Sequence, residues 1–176
     1  MDKPVSKSRL AEYLRVNHAG ERAAQTIYQG QLMMLRGTDK EAEIQHMMDQ
    51  EVEHLETFDT LLNDYKVRPS LLDPVWGLAG LALGATTAAM GPKAAMACTI
   101  AVEEVIGEHY DDQVKALSKA DMEPELTETL ARFRDEELEH RDIAVEHHGR
   151  EAFAYDLLKQ VIQTGCRTAI KIAEKI

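Results

Sequence analysis

The stretch Phe133 to His140, FRDEELEH, places Glu137 and His140 three residues apart within an apolar helical stripe. That stripe reads Leu126, Leu130, Phe133, Glu137, His140 and Ala144, at steps of three and four. A helix that buries it carries a carboxylate and an imidazole into its core, at a cost of several kcal/mol unless each group finds a strong partner. A metal ion is the partner such a pair can share.

The surrounding chain favours helices. Aromatic residues make up only 5% of the 176 residues, while Ala, Leu, Glu and Met abound. The prolines stand at positions 4, 69, 74, 92 and 124, where they act as punctuation. The expected fold is all-α, a single domain with about six helices. At 44% apolar and 29% charged, the chain can bury a real core.

Four of the helices carry inward polar groups. The first runs from about Ser8 to Arg36, with Leu10, Leu14, Glu21, Tyr28, Leu32 and Leu35 on one face and Gly37 as its stop. Thr38 and Glu41 predict a capping box for the second. Its stripe is Ile44, Met47, Met48, Glu51, His54, Leu55, Phe58, Leu62 and Tyr65. A fourth helix, about Lys93 to Lys119, carries Met96, Ile100, Glu103, Gly107, Tyr110, Val114 and Leu117. The fifth opens at Pro124 and stops at Gly149. The sixth, about Ala152 to Lys175, is amphipathic with no inward acid.

The same unit therefore occurs twice: a helix with one inward Glu, a turn, and a helix with inward Glu-x-x-His. Glu21 goes with Glu51 and His54, and Glu103 with Glu137 and His140. In an antiparallel pair, side chains equally far from the turn stand level. Glu21 lies about sixteen residues before its turn and Glu51 to His54 about fourteen to sixteen after it. The second set is level as well. Glu43 and His46 repeat the spacing but fall roughly 16 Å off level at 1.5 Å per residue. Glu104 belongs to a polar face with Glu108 and Asp111, and Glu136 and Glu139 read as solvated neighbours of the motif. Four carboxylates and two imidazoles from four facing helices form the di-metal arrangement of ferritin-like bundles.

Residues 74–92, PVWGLAGLALGATTAAMGP, contain no charge. The length could match a transmembrane span, yet Gly, Ala and Thr outnumber large apolar residues. A helix lying in or on a bilayer interface is favoured over a buried core hairpin or a spanning helix, with Trp76 as a headgroup-level anchor. From Lys159 onward, Lys159, Arg167, Lys171 and Lys175 face a single Glu174. This is either a solvated face or a contact for an anionic membrane surface. The net charge of −11 argues against a nucleic-acid partner. Cys98 and Cys166 read as reduced, buried packing residues. The opening MDKPVSKSRL lacks the apolar core of a signal peptide and leaves little room for a transit peptide. A cytosolic-side or already processed protein is expected.

These residues resemble the 5-demethoxyubiquinone hydroxylases, di-iron monooxygenases of ubiquinone biosynthesis. The resemblance runs through RVNHAGE at Arg15 to Glu21, DQEVEH at Asp49 to His54, and VRP at Val67 to Pro69. It continues through LALGA at Leu81, AMACTIAVEE ending at Glu104, His109 and Tyr110, FRDEELEH, and GCR at Gly165 to Arg167. It implies two irons held by Glu21, Glu51, His54, Glu103, Glu137 and His140, NADH as reductant, and a polyprenyl quinol as substrate. One atom of O2 enters the quinol ring and the other leaves as water. It further implies peripheral attachment to the cytoplasmic face of a bacterial inner membrane or the matrix face of a mitochondrial one. A lipid-binding accessory protein and a homo-oligomer are compatible with it.

The resemblance also suggests that His109 and Tyr110 move electrons or protons between quinone and metal. On residue placement alone, Tyr110 reads equally as a packed core tyrosine and His109 as a helix-flank histidine. His18 is either a support for the metal site or a structural polar group, and His147 and His148 serve a helix dipole. Two other classes share parts of the pattern. An iron-storage or ferroxidase bundle needs the metal site but not the apolar segment. A non-catalytic membrane scaffold needs neither the Glu-x-x-His pairs nor their level placement.

Overall fold

A computed structural model describes residues 5–176. All secondary structure among them is helical: α1 (Lys7–Leu35), α2 (Glu41–Asp64), α3 (Asp73–Ala89), α4 (Pro92–Ala120), α5 (Pro124–Glu146) and α6 (Tyr155–Ala173). A single 3-10 turn, Gly149–Glu151, separates the last two. Helices α1, α2, α4 and α5 form a ferritin-like four-helix bundle made of two antiparallel hairpins.

Sequence chemistry sets the ends. The Ser6 hydroxyl accepts the amide of Arg9 at the start of α1. Gly37, at φ +80°, turns the chain after it. The predicted capping box takes another form. Lys40, not Thr38, is the N-cap of α2, and Glu41 reaches back past it to the amide of Gly37 at 2.6 Å. The Thr38 hydroxyl instead donates to the carbonyl of Leu35 at 2.6 Å. Helix α5 stops at Glu146, with His147 as its C-cap, and α6 begins at Tyr155. Both are shorter than their periodicity suggested, because the chain between them turns through His148 and Ala154 at positive φ.

The core has two apolar ends and a polar middle. Tyr28, Leu32, Leu35, Ile44, Met47, Met96 and Ile100 pack at one end. Leu10, Leu14, Phe58, Leu62, Leu117, Leu126 and Leu130 pack at the other. Between them, all six predicted acids and imidazoles are buried.

Helix α3 is the long connection between the hairpins, and it runs parallel to α1. Their backbones approach so closely that a Cβ on Gly84 would collide with the carbonyl of Ile27, and one on Gly30 with that of Leu81. The uncharged segment is thus neither a core hairpin nor a span. One of its faces, through Gly80, Gly84, Thr87 and Ala88, is buried. Val75 and Leu78 on other faces are exposed, and no helix among the described residues is long and apolar enough to cross a membrane. Trp76 is half-buried. It packs beside Val16, Ala19 and Ala173, and its indole N–H donates to the Ser70 hydroxyl at 3.2 Å.

Helix α6 lies along α4. Lys159 pairs with Glu104 at 2.6 Å and Arg167 with Glu108 at 2.8 Å, so two of the four cations of the basic stripe are spent within the fold. Cys98 is buried and Cys166, contrary to expectation, is only partly so; both are free thiols.

Candidate metal centre

Each bundle helix contributes one apolar stripe interrupted by acid or imidazole, and the bundle makes the four interruptions meet. Glu21 comes from α1, Glu51 and His54 from α2, Glu103 from α4, and Glu137 and His140 from α5. Their donor atoms fall into two overlapping sets, Glu21, Glu51, His54 and Glu137, and Glu51, Glu103, Glu137 and His140. Within each set the atoms lie within 4.8 Å of one another. Glu51 and Glu137 belong to both. A carboxylate has two oxygens and can bridge two cations, so the arrangement offers two positions with two shared ligands and one private Glu-His pair each.

The inward atoms are the ones left without hydrogen-bond partners. They are Nδ1 of His54 and of His140, both oxygens of Glu51 and of Glu137, and Oε2 of Glu21 and of Glu103. His54 Nδ1 stands 3.3 Å from Glu137 and 3.4 Å from Glu21. His140 Nδ1 stands 3.1 Å from Glu51 and 3.3 Å from Glu137. Buried polar groups without partners are rare because each costs about 1–3 kcal/mol, and more when charged. So many converging on one point fit a pair of divalent cations bound by oxygen and imidazole nitrogen.

The protonation pattern follows from the same crowding. Burial, then the charges of Glu137 and Glu21, hold the Glu51 carboxyl well above its usual range. Burial and Glu137 do the same for Glu103. Burial by itself would lower His54, but the close carboxylates of Glu137 and Glu21 push it up to about 12. Burial opposes ionisation of Glu137, yet its contacts with His140 and His54 bring it down to about 2. Cations entering this cluster displace protons, which makes their affinity fall as pH falls.

Two tyrosines extend the internal repeat. Tyr110, seven residues after Glu103 on α4, donates its hydroxyl to Glu21 on α1. Tyr28, seven residues after Glu21 on α1, donates to Glu103 on α4 at 2.5 Å. Burial and then these neighbouring acids raise both phenols well above their usual value. The signal for Tyr28 was present in the sequence, in its offset of seven, but it read as one more core aromatic. His109 is not brought to the cluster. It lies beside Arg9, Glu174 and Asp112, where burial lowers its pKa.

His18 also lies away from the acids it precedes. Its Nε2 stands 2.9 Å from Asp59 and its Nδ1 3.5 Å from Asp73, which ties α1 to α2 and to the start of α3. His147 lies 3.7 Å from Glu43 and His148 2.9 Å from Glu151. Glu136, expected in solvent, instead accepts from His54 Nε2 at 2.6 Å.

A sequence model of one family, described as ubiquinone biosynthesis protein COQ7, matches residues 8–173. The chain belongs to this family. It is 46% identical to the human protein named NADPH-dependent 3-demethoxyubiquinone 3-hydroxylase, mitochondrial, over 98% of this chain and 80% of that one. Identity to the Caenorhabditis elegans protein of the same name is 50%, over 95% of this chain and 90% of that one. A bacterial relative, the 3-demethoxyubiquinol 3-hydroxylase of Rhodospirillum rubrum, is 47% identical over 98% of this chain and 81% of its own length. The animal names specify NADPH, where NADH was expected.

An apolar pocket of about 90 Å³ lies between α1, α4 and α6, with none of the six acids and imidazoles in its lining. Gly20, Ala23 and Ala24 of α1 line one side, Val102 and Ile106 of α4 another. Trp76, Cys166 and Ile170 close it. Gly20 and Ala24 flank Glu21, while Val102 and Ile106 flank Glu103, so the pocket lies along the seam between the two helices that carry the private acids.

Proposed function

We propose that this chain is a di-iron monooxygenase that hydroxylates the ring of a demethoxyubiquinol, a late step of ubiquinone biosynthesis. The observation that carries this reading is the set of buried, inward-facing oxygen and nitrogen atoms without partners, on helices whose next residues line an apolar pocket. The names of the relatives agree with it. A storage bundle shares such a cluster but needs no apolar pocket along its α1–α4 seam.

Glu51 and Glu137 would be shared between the two irons, with Glu21 and His54 completing one position and Glu103 and His140 the other. The bound irons supply the activation of O2. The protein residues do the rest. The apolar pocket on the α1–α4 seam marks where the quinol would approach, and its apolar walls exclude water. Tyr110 donates its hydroxyl to Glu21 and would pass that proton into the cluster. His109, next in the chain and turned toward α6, serves the outer part of a proton or electron route. A nicotinamide nucleotide is the source of electrons, NADPH being the one named for the animal relatives.

The test is to supply a demethoxyquinol analogue, O2 and reductant and to seek a product heavier by one oxygen. Gly20→Leu localises the pocket. A Cβ there meets no atom within 4 Å, and loss of a helical glycine gains about 1 kcal/mol in helix propensity. The fold should therefore survive while the side chain fills the pocket and KM for a tailed substrate rises. An unchanged KM places the substrate elsewhere, and no product from the wild-type protein with two bound irons defeats the reading.

Membrane attachment is the second part of the proposal. Helices α3 and α6 border the pocket and carry exposed Val75, Leu78, Leu157 and Val161, which would let a lipid-borne substrate enter without crossing water. Val75→Lys with Leu78→Lys should abolish co-sedimentation with quinone-containing vesicles and leave iron content unchanged. Full retention on the vesicles would rule out this face.

A further inference from the structure

The internal repeat continues behind the ligands, and there its symmetry breaks. His54 and His140 both turn Nδ1 toward the acids, and each offers Nε2 outward. His140 Nε2 stands 2.8 Å from Oε1 of Gln50 on α2. His54 Nε2 stands 2.6 Å from a carboxylate oxygen of Glu136 on α5. Gln50 immediately precedes Glu51 and Glu136 immediately precedes Glu137, so the two are equivalent by position in the repeat and differ in charge. Each supports the imidazole of the opposite hairpin.

The Glu136 contact is reinforced. Arg132, one turn earlier on α5, lies 3.1 Å from the other oxygen of Glu136 and 3.1 Å from Glu53 on α2. The ring of Phe133 lies against His54 at 3.9 Å between centroids. The carboxylate side of the pair is therefore held in place, and Glu136 is mostly shielded, at 23% side-chain exposure.

A carboxylate acceptor on the outer nitrogen makes an imidazole a stronger donor through its inner one, more so than a neutral amide does. We propose that Glu136 and Gln50 are positioning residues that make the two metal positions unequal, the His54 position binding a divalent cation more tightly than the His140 position. This deepens the di-metal reading and rests on it.

Anaerobic titration of the metal-free protein with Co(II) reads the two steps separately, because the visible bands of cobalt report each coordination sphere. In the wild type the two affinities should differ by on the order of tenfold or more. Glu136→Gln, which keeps an oxygen acceptor for His54 but removes its charge, should weaken the tighter step, draw the two together and shift the bands of the first-bound ion. Gln50→Glu provides an independent arm, since it should tighten the weaker step alone. Two ions bound with the wild-type ratio in both variants, or both steps weakened equally by Glu136→Gln, would overturn the inference and leave the di-metal site standing. Fewer than two ions bound by the wild type would overturn the site and the inference together.

Discussion

In Glu137→Ala the hydroxylated product is expected to fall by on the order of a thousandfold or more, a loss of about 4 kcal/mol in transition-state stabilisation. Glu137 belongs to both donor sets, so its removal opens both metal positions at once. It also stands 3.3 Å from both imidazole Nδ1 atoms. Its loss removes one of the two carboxylates, with Glu51, that face His54 and His140 together. Added iron raises the thermal stability of the wild type because it binds only the folded state. The variant should lose most of that increment, and this separates a lost site from a damaged fold. Glu139→Ala is the control: Glu139 is exposed and lies two residues along the same helix, so activity and iron content should stay at wild-type levels. A Glu137→Ala protein that keeps two irons and full turnover would show that the centre lies elsewhere.

Gly84→Leu should lower the melting temperature and loosen α3 from α1. The colliding atoms belong to the backbone of Ile27, not to a flexible side chain, so the helices have to separate. Overpacking of this kind costs about 1–3 kcal/mol, and a backbone collision belongs at the upper end. Against it stands about 1 kcal/mol gained when a helical glycine is replaced. The net loss of about 2 kcal/mol corresponds to roughly 4–8 °C for a chain of this size. The iron cluster, held by α1, α2, α4 and α5, should persist, while Trp76 moves away from the pocket and indole fluorescence changes. Gly77→Ala offers a contrast on the same helix. There a Cβ makes an ordinary contact of 3.7 Å with the side chain of Arg22, so stability should hold or rise. Equal melting temperatures for Gly84→Leu and wild type would mean that α3 is not packed as described.

Much of the fold was legible because burial and periodicity report the same thing. The stripe from Leu126 to Ala144 predicted one buried face, and all six of its residues are buried. Level placement about each turn was legible too, since helix rise is constant and each hairpin joins two uninterrupted helices. Thr38 was misread because a box-like spacing does not say which residue begins the helix; the Gly37 turn shifted that role to Lys40. The packing of residues 74–92 was not legible for a different reason. An uncharged segment looks the same whether its apolar groups meet lipid or another helix, and only the neighbour, here α1, distinguishes the two.

Glu136 and Tyr28 show where reading along one chain stops. Each is ordinary in its own helix, an acid among acids and an aromatic on a core face. Their significance lies in what they touch on another hairpin, His54 for Glu136 and Glu103 for Tyr28. By itself the sequence determined the helices, the two-fold repeat and the identity of six buried acids and imidazoles, because these depend on local spacing and on the cost of burying charge. Only the tertiary structure decided how those six divide into two overlapping sets and which outer partner each imidazole has. It alone placed an apolar pocket on the α1–α4 seam, because these features arise from distances between segments far apart in the chain.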